Sequence, residues 1–130
     1  MSVHLSEIVH RRVDEVYAYA SDPRRLPEWA AGLSGSIAQV RGQWVADSPM
    51  GRVVVEFAAA NAYGVLDHVV VLPSGDRVYN PMRVLALDEV SEVVFTLRRR
   101  PGMTDDDFDE DVSAVRADLA TLKRVLEERR

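Results

Sequence analysis

Residues 104–128 read TDDDFDEDVSAVRADLATLKRVLEE, and this stretch decides the fold. Phe108, Val112, Val115, Leu119, Leu122 and Leu126 step by four, three, four, three and four, which lines one side of a helix. Thr104 occupies an N-cap position, and Asp107 lies three residues on, as in a capping box. Residues 105–107 load the first turn with negative charge, while Lys123, Arg124, Arg129 and Arg130 place positive charge at the other end. At about 1.5 Å per residue this helix is roughly 37 Å long. A helix of that length with one apolar side needs a sheet face to cover it.

Upstream, residues 33–100 supply the sheet. Alternation and turn signals mark strands at 36–40, 43–47, 52–60, 65–72, 77–87 and 92–100. The turns fall at Arg41-Gly42, Ser48-Pro49-Met50-Gly51, Asn61-Ala62-Tyr63-Gly64, Pro73-Ser74-Gly75-Asp76 and residues 88–91. Asn80-Pro81 interrupts the fifth of these strands, because a proline cannot donate to a ladder, so a bulge or an edge is expected there.

Residues 3–9 alternate as one further strand, with Val3, Leu5, Glu7 and Val9 on one face. The period then changes: Val13, Val16, Tyr17 and Ala20 form the stripe of a short helix. Asp22-Pro23 ends it, since the residue before a proline avoids the α region, and helical turns restart around Pro27-Glu28-Trp29. The order is strand, two short helices, six strands, long helix. The fold class expected is α+β, a single domain over residues 1–130. In it a curved seven-stranded antiparallel sheet wraps the terminal helix, and the two short helices form a V closing one end of a cavity.

Composition limits the functions open to such a fold. The net charge of −5 removes any global attraction to nucleic acid or anionic membrane. The absence of cysteine excludes disulfides, thiolate catalysis and cysteine-held metal. No apolar run approaches a membrane span and the first residues lack a signal-peptide core, so a cytoplasmic location is the expectation. His4 and His10 share a strand face about 20 Å apart at roughly 3.3 Å per residue, too far for one metal. No phosphate loop, zinc signature or nucleophile elbow is present, and neither metal nor cofactor is expected.

The stretches VDEVYAYASDPRRLPEWAAG, GVLDHVVVLPSG, NPMRV and PGMTDDDFDEDVSAVRADLATLKRVLEE, with this element order, resemble the helix-grip (START-like, pollen-allergen-like, SRPBCC) superfamily. Within it the chain is similar to the bacterial polyketide cyclase/dehydrase and lipid-transport family. The resemblance covers nearly the whole chain. It implies a cavity for a small hydrophobic, lipid- or polyketide-like molecule. It also leaves open an aromatase, cyclase or dehydratase activity, or a surface that binds other proteins. Fold does not choose among these, so the site must.

His68 shares its strand face with Leu66, Val70 and Leu72. Facing inward it could donate, accept or shuttle a proton; the alternative is a histidine on the convex face or one bonded within the wall. Asp67 points to the opposite face. Arg83, just past the Pro81 break, either turns inward and needs a carboxylate such as Glu7 or an acidic ligand group, or is a solvated arginine. Trp29, Trp44, Phe57 and Phe95 either line an apolar cavity, Trp29 at its mouth, or are ordinary core. These six residues, Trp29, Trp44, Phe57, His68, Arg83 and Phe95, are the candidate ligand-binding set.

Overall fold

A computed structural model describes residues 1–33 and 35–129. The chain runs β1 (Ser2–Val9), α1 (Val13–Ala20), a 3₁₀ turn (Pro23–Arg25), α2 (Leu26–Trp29) and a second 3₁₀ turn (Ala31–Leu33). Then follow β2 (Ile37–Val40), β3 (Gln43–Ser48), β4 (Gly51–Phe57), β5 (His68–Val71), β6 (Arg77–Asn80), β7 (Met82–Leu87), β8 (Val90–Arg98) and α3 (Asp105–Glu128).

Local chemistry accounts for the boundaries. Asp22 accepts from the backbone N–H of Arg24 at 3.0 Å, and Pro23 opens the turn it caps. The Thr104 hydroxyl accepts from Asp107 N–H at 3.0 Å, and the Asp107 carboxylate accepts from Thr104 N–H at 3.2 Å, so the capping box is complete. Arg41 and Gly42 both have positive φ, 51° and 81°, and join β2 to β3 through a two-residue hairpin.

The sheet corrects the expectation of seven strands. Among the described residues, eight antiparallel strands form two sheets, ordered β1-β8-β7 and β2-β3-β4-β5-β6. The cause is Pro81, which divides the expected strand 77–87 into β6, paired with β5, and β7, paired with β8. The two sheets remain tied at the break. Leu66 N–H donates to Met82 O and Val84 N–H to Gly64 O, both at 2.9 Å, around an isolated bridge from Val65 to Arg83.

Helix α3 packs chiefly on β1, with β8 and α2 beside it. Phe108, Leu119, Leu122 and Leu126 are buried on that side, and Val9, Val16, Leu26, Val53, Val55, Met82 and Val93 complete the core around them. The helix therefore covers the three-stranded sheet closely. Val112 and Val115, nearer its N-terminus, are only half-buried, and that part of the helix stands beside an open space.

Candidate functional site

That space is a cavity of about 440 Å³, within the usual range of small-molecule sites, roughly 300–1,000 Å³. Leu26, Trp29 and Leu33 line it from α2 and the adjoining turn, Val115 and Leu119 from α3. Val53, Val70, Leu72, Phe95 and Leu97 supply the sheet wall. No helix among the described residues is long and apolar enough to cross a membrane.

Of the six candidates, Trp29, His68 and Phe95 line this cavity. His68 follows the strand phase read from the sequence: it faces inward with Val70 and Leu72, while Asp67 points away. Phe57 stands behind the histidine, its ring stacked on the imidazole at 5.5 Å. Phe95 meets the same ring edge-on at 5.9 Å. Trp44 is half-buried and does not line the cavity.

Arg83 lies elsewhere. Its guanidinium pairs with Asp67, which is buried and also accepts from the Tyr79 hydroxyl and from Met82 N–H, the latter at 2.9 Å. The partner is thus Asp67 and not Glu7. Burial pushes the Asp67 carboxyl up, but the bonds from Tyr79, Met82 and Arg83 outweigh it and hold the group below its ordinary range. This cluster braces the Pro81 break from the outer side, so its task is to hold β6 and β7 against β5.

His68 is only 8% exposed, and burial depresses its pKa, keeping the ring neutral. Its Nδ1 lies 3.1 Å from Leu66 O. A carbonyl can only accept, so Nδ1 carries the hydrogen and Nε2 the lone pair. Trp29 Nε1 is the one side-chain nitrogen or oxygen among the described residues that is sealed from solvent with no partner.

Asp118 is the site residue that sequence reasoning missed. It lines the cavity from α3 and accepts from Ala31 N–H at 3.0 Å, tying the turn after α2 to the helix across 87 residues of chain. Burial raises its pKa, with the Ala31 bond pulling the other way. A signal was present: Asp118 stands three residues after Val115 and four before Leu122, inside the apolar stripe. Asp111, two helical turns earlier, reaches the same cavity, and so do Arg98 and Arg100.

A raised carboxyl pKa means the fold disfavours the charged form, so this stabilising balance is lost as pH rises above the ordinary value. Asp118→Asn keeps an acceptor for Ala31 and removes the charge. It is expected to melt at the same temperature as wild type or a few degrees higher at neutral pH, the difference vanishing near pH 3, about where both side chains are uncharged. Thermal denaturation at the two pH values checks this. A variant several degrees less stable at neutral pH would show that the charge itself stabilises the turn.

No family model matches the sequence, and no curated protein matches it. Solved structures do. The protein XoxI from Bacillus cereus superimposes with a TM-score of 0.76 at 11% identity, over 98% of this chain and 96% of that one. Ara h 8.0201 gives 0.72 at 14% identity, over 99% of both chains. The Zhui aromatase/cyclase from Streptomyces sp. R1128 gives 0.71 at 16% identity, over 99% of this chain and 94% of that one.

Proposed function

The chain has the helix-grip fold, and from that premise we propose that it binds a small hydrophobic molecule, lipid- or polyketide-like, inside the cavity between α3, α2 and the sheets. The observation that carries this reading is the cavity itself: a volume of about 440 Å³ whose wall is mainly apolar, with charged side chains such as Asp118, Asp111, Arg98 and Arg100 also on its lining. Affinity then comes mostly from apolar area, at about 25 cal/mol per Å² before the costs of association. Native mass spectrometry of the protein purified from its own host, with the co-purifying compound extracted and identified, tests it. Repeated recovery of empty protein that also takes up no apolar probe would sink it.

A second reading, an enzyme of the cyclase, aromatase or dehydratase type, is favoured by one observation. His68 and Asp118 both line this cavity, the first neutral with a free lone pair, the second inclined to hold its proton. In a dehydration the imidazole would take a proton from carbon while the carboxyl protonates the departing hydroxyl, which leaves as water as the double bond forms. The fold shared with an aromatase/cyclase is consistent with that chemistry. Binding and turnover of one compound by wild type and His68→Gln separate the two readings. For a binder, the substitution has a modest effect on affinity. For an enzyme it removes roughly 10²–10⁴-fold of the rate with binding largely kept. A protein-interaction module would be expected to have a filled interior, and the cavity argues against it.

A further inference from the structure

We infer that His68 makes the cavity selective for apolar molecules carrying a neutral hydroxyl or N–H donor, over equally apolar molecules that lack one. The inference rests on the cavity being a binding site and names the chemistry of what it takes.

The geometry carries the step. Nδ1 is committed to Leu66 O at 3.1 Å, and the ring is held between Phe57 and Phe95, so it is not free to turn over and present an N–H. The remaining nitrogen, Nε2, has no hydrogen-bond partner among the described residues. The ring it belongs to lines the cavity. An acceptor in an apolar wall loses its water when a ligand enters. A hydrocarbon or an ether leaves that lone pair bare. A carboxylate brings acceptors only and has no hydrogen to give Nε2. A phenol, enol or alcohol replaces the lost water with an O–H donated to Nε2. Phe95, which lines the cavity beside the imidazole, suits a flat ligand next to that acceptor.

The test uses three probes of one skeleton, naphthalene, 1-methoxynaphthalene and 1-naphthol, titrated by calorimetry or fluorescence into wild type, His68→Phe, Asp118→Asn and Arg116→Ala. One neutral hydrogen bond predicts that wild type binds 1-naphthol roughly three- to tenfold more tightly than either other probe, after correction for their water solubility. In His68→Phe, which keeps an aromatic ring between Phe57 and Phe95, that preference is lost while naphthalene affinity changes little. Arg116→Ala, on the exposed side of α3 and away from the cavity, is the unchanged control, while Asp118→Asn tests the other acceptor on the wall.

Equal binding of all three probes by wild type overturns the inference and leaves the binding reading standing. A preference that survives in His68→Phe but disappears in Asp118→Asn assigns the acceptor to the carboxylate and also overturns it. If none of the probes binds, the inference falls along with support for the cavity as a binding site. Side-chain ¹⁵N NMR adds a check that does not depend on His68→Phe folding. His68 in wild type is expected to show the Nδ1–H tautomer, with the Nε2 resonance moving on addition of 1-naphthol but not of naphthalene. An Nε2–H tautomer would refute the inference without any ligand.

Discussion

Gly64→Ala is expected to destabilise the protein by roughly 3–5 kcal/mol, a fall in melting temperature of about 10–20 °C. Gly64 has φ of +73°, a left-handed conformation that costs other residues about 1–2 kcal/mol. A Cβ there would stand 2.2 Å from Val84 O and 3.2 Å from its Cγ1. The carbonyl of Gly64 is itself the acceptor for Val84 N–H at 2.9 Å. The methyl group therefore cannot be accommodated without pulling apart one of the bonds that tie the five-stranded sheet to β7. Gly75→Ala is the control. It has φ of +91° but nothing within 4 Å of its Cβ, so only backbone strain is added, and a loss of about 1–2 kcal/mol is expected. Thermal unfolding of the two variants decides the matter. Equal losses would mean that the contact at Val84 is relieved cheaply and that the junction is more yielding than its geometry implies.

Leu122→Ala is expected to cost roughly 2–5 kcal/mol, as truncation of a fully buried leucine does. Leu122 has no solvent exposure and sits in the stripe by which α3 covers β1 and β8. The competing account of that stripe is the seam of a dimeric coiled coil. It fails in the protein as folded, because Leu119, Leu122 and Leu126 are all buried within one chain. Urea unfolding at two protein concentrations distinguishes the accounts: the loss should be independent of concentration. Arg116→Ala, on the exposed side of the same helix, should stay within about 0.5 kcal/mol of wild type. A concentration-dependent midpoint for wild type that disappears in Leu122→Ala would restore the coiled coil.

What could be read from the chain was local. The heptad-like stripe of α3 and its Thr104–Asp107 cap, the Asp22-Pro23 corner, the Arg41-Gly42 hairpin and the interruption at Pro81 each depend on a few neighbouring residues. Periodicity, capping and fixed φ act at that range. That His68 shares a face with Val70 and Leu72, opposite Asp67, was legible for the same reason, because alternation carries through a strand without a break; which of the two faces looks inward was not. The face taken by Arg83 was not legible either, since the phase of a strand cannot be followed across a proline that divides it.

Only the tertiary structure decided that Asp67, and not Glu7, meets Arg83, and that the expected seven-stranded sheet divides into three strands and five. It alone placed Trp29 and Phe95 on the cavity wall, Phe57 behind His68 and Trp44 away from it. Asp118 makes the reason plain. In sequence it is one aspartate in an acidic helix. Its partner is a backbone N–H 87 residues away, and its raised pKa comes from packing between α2 and α3. Burial of a polar group depends on which distant elements close over it, and a cavity is the space those elements leave unfilled. Neither quantity is a property of any short run of residues, so both had to wait for the fold.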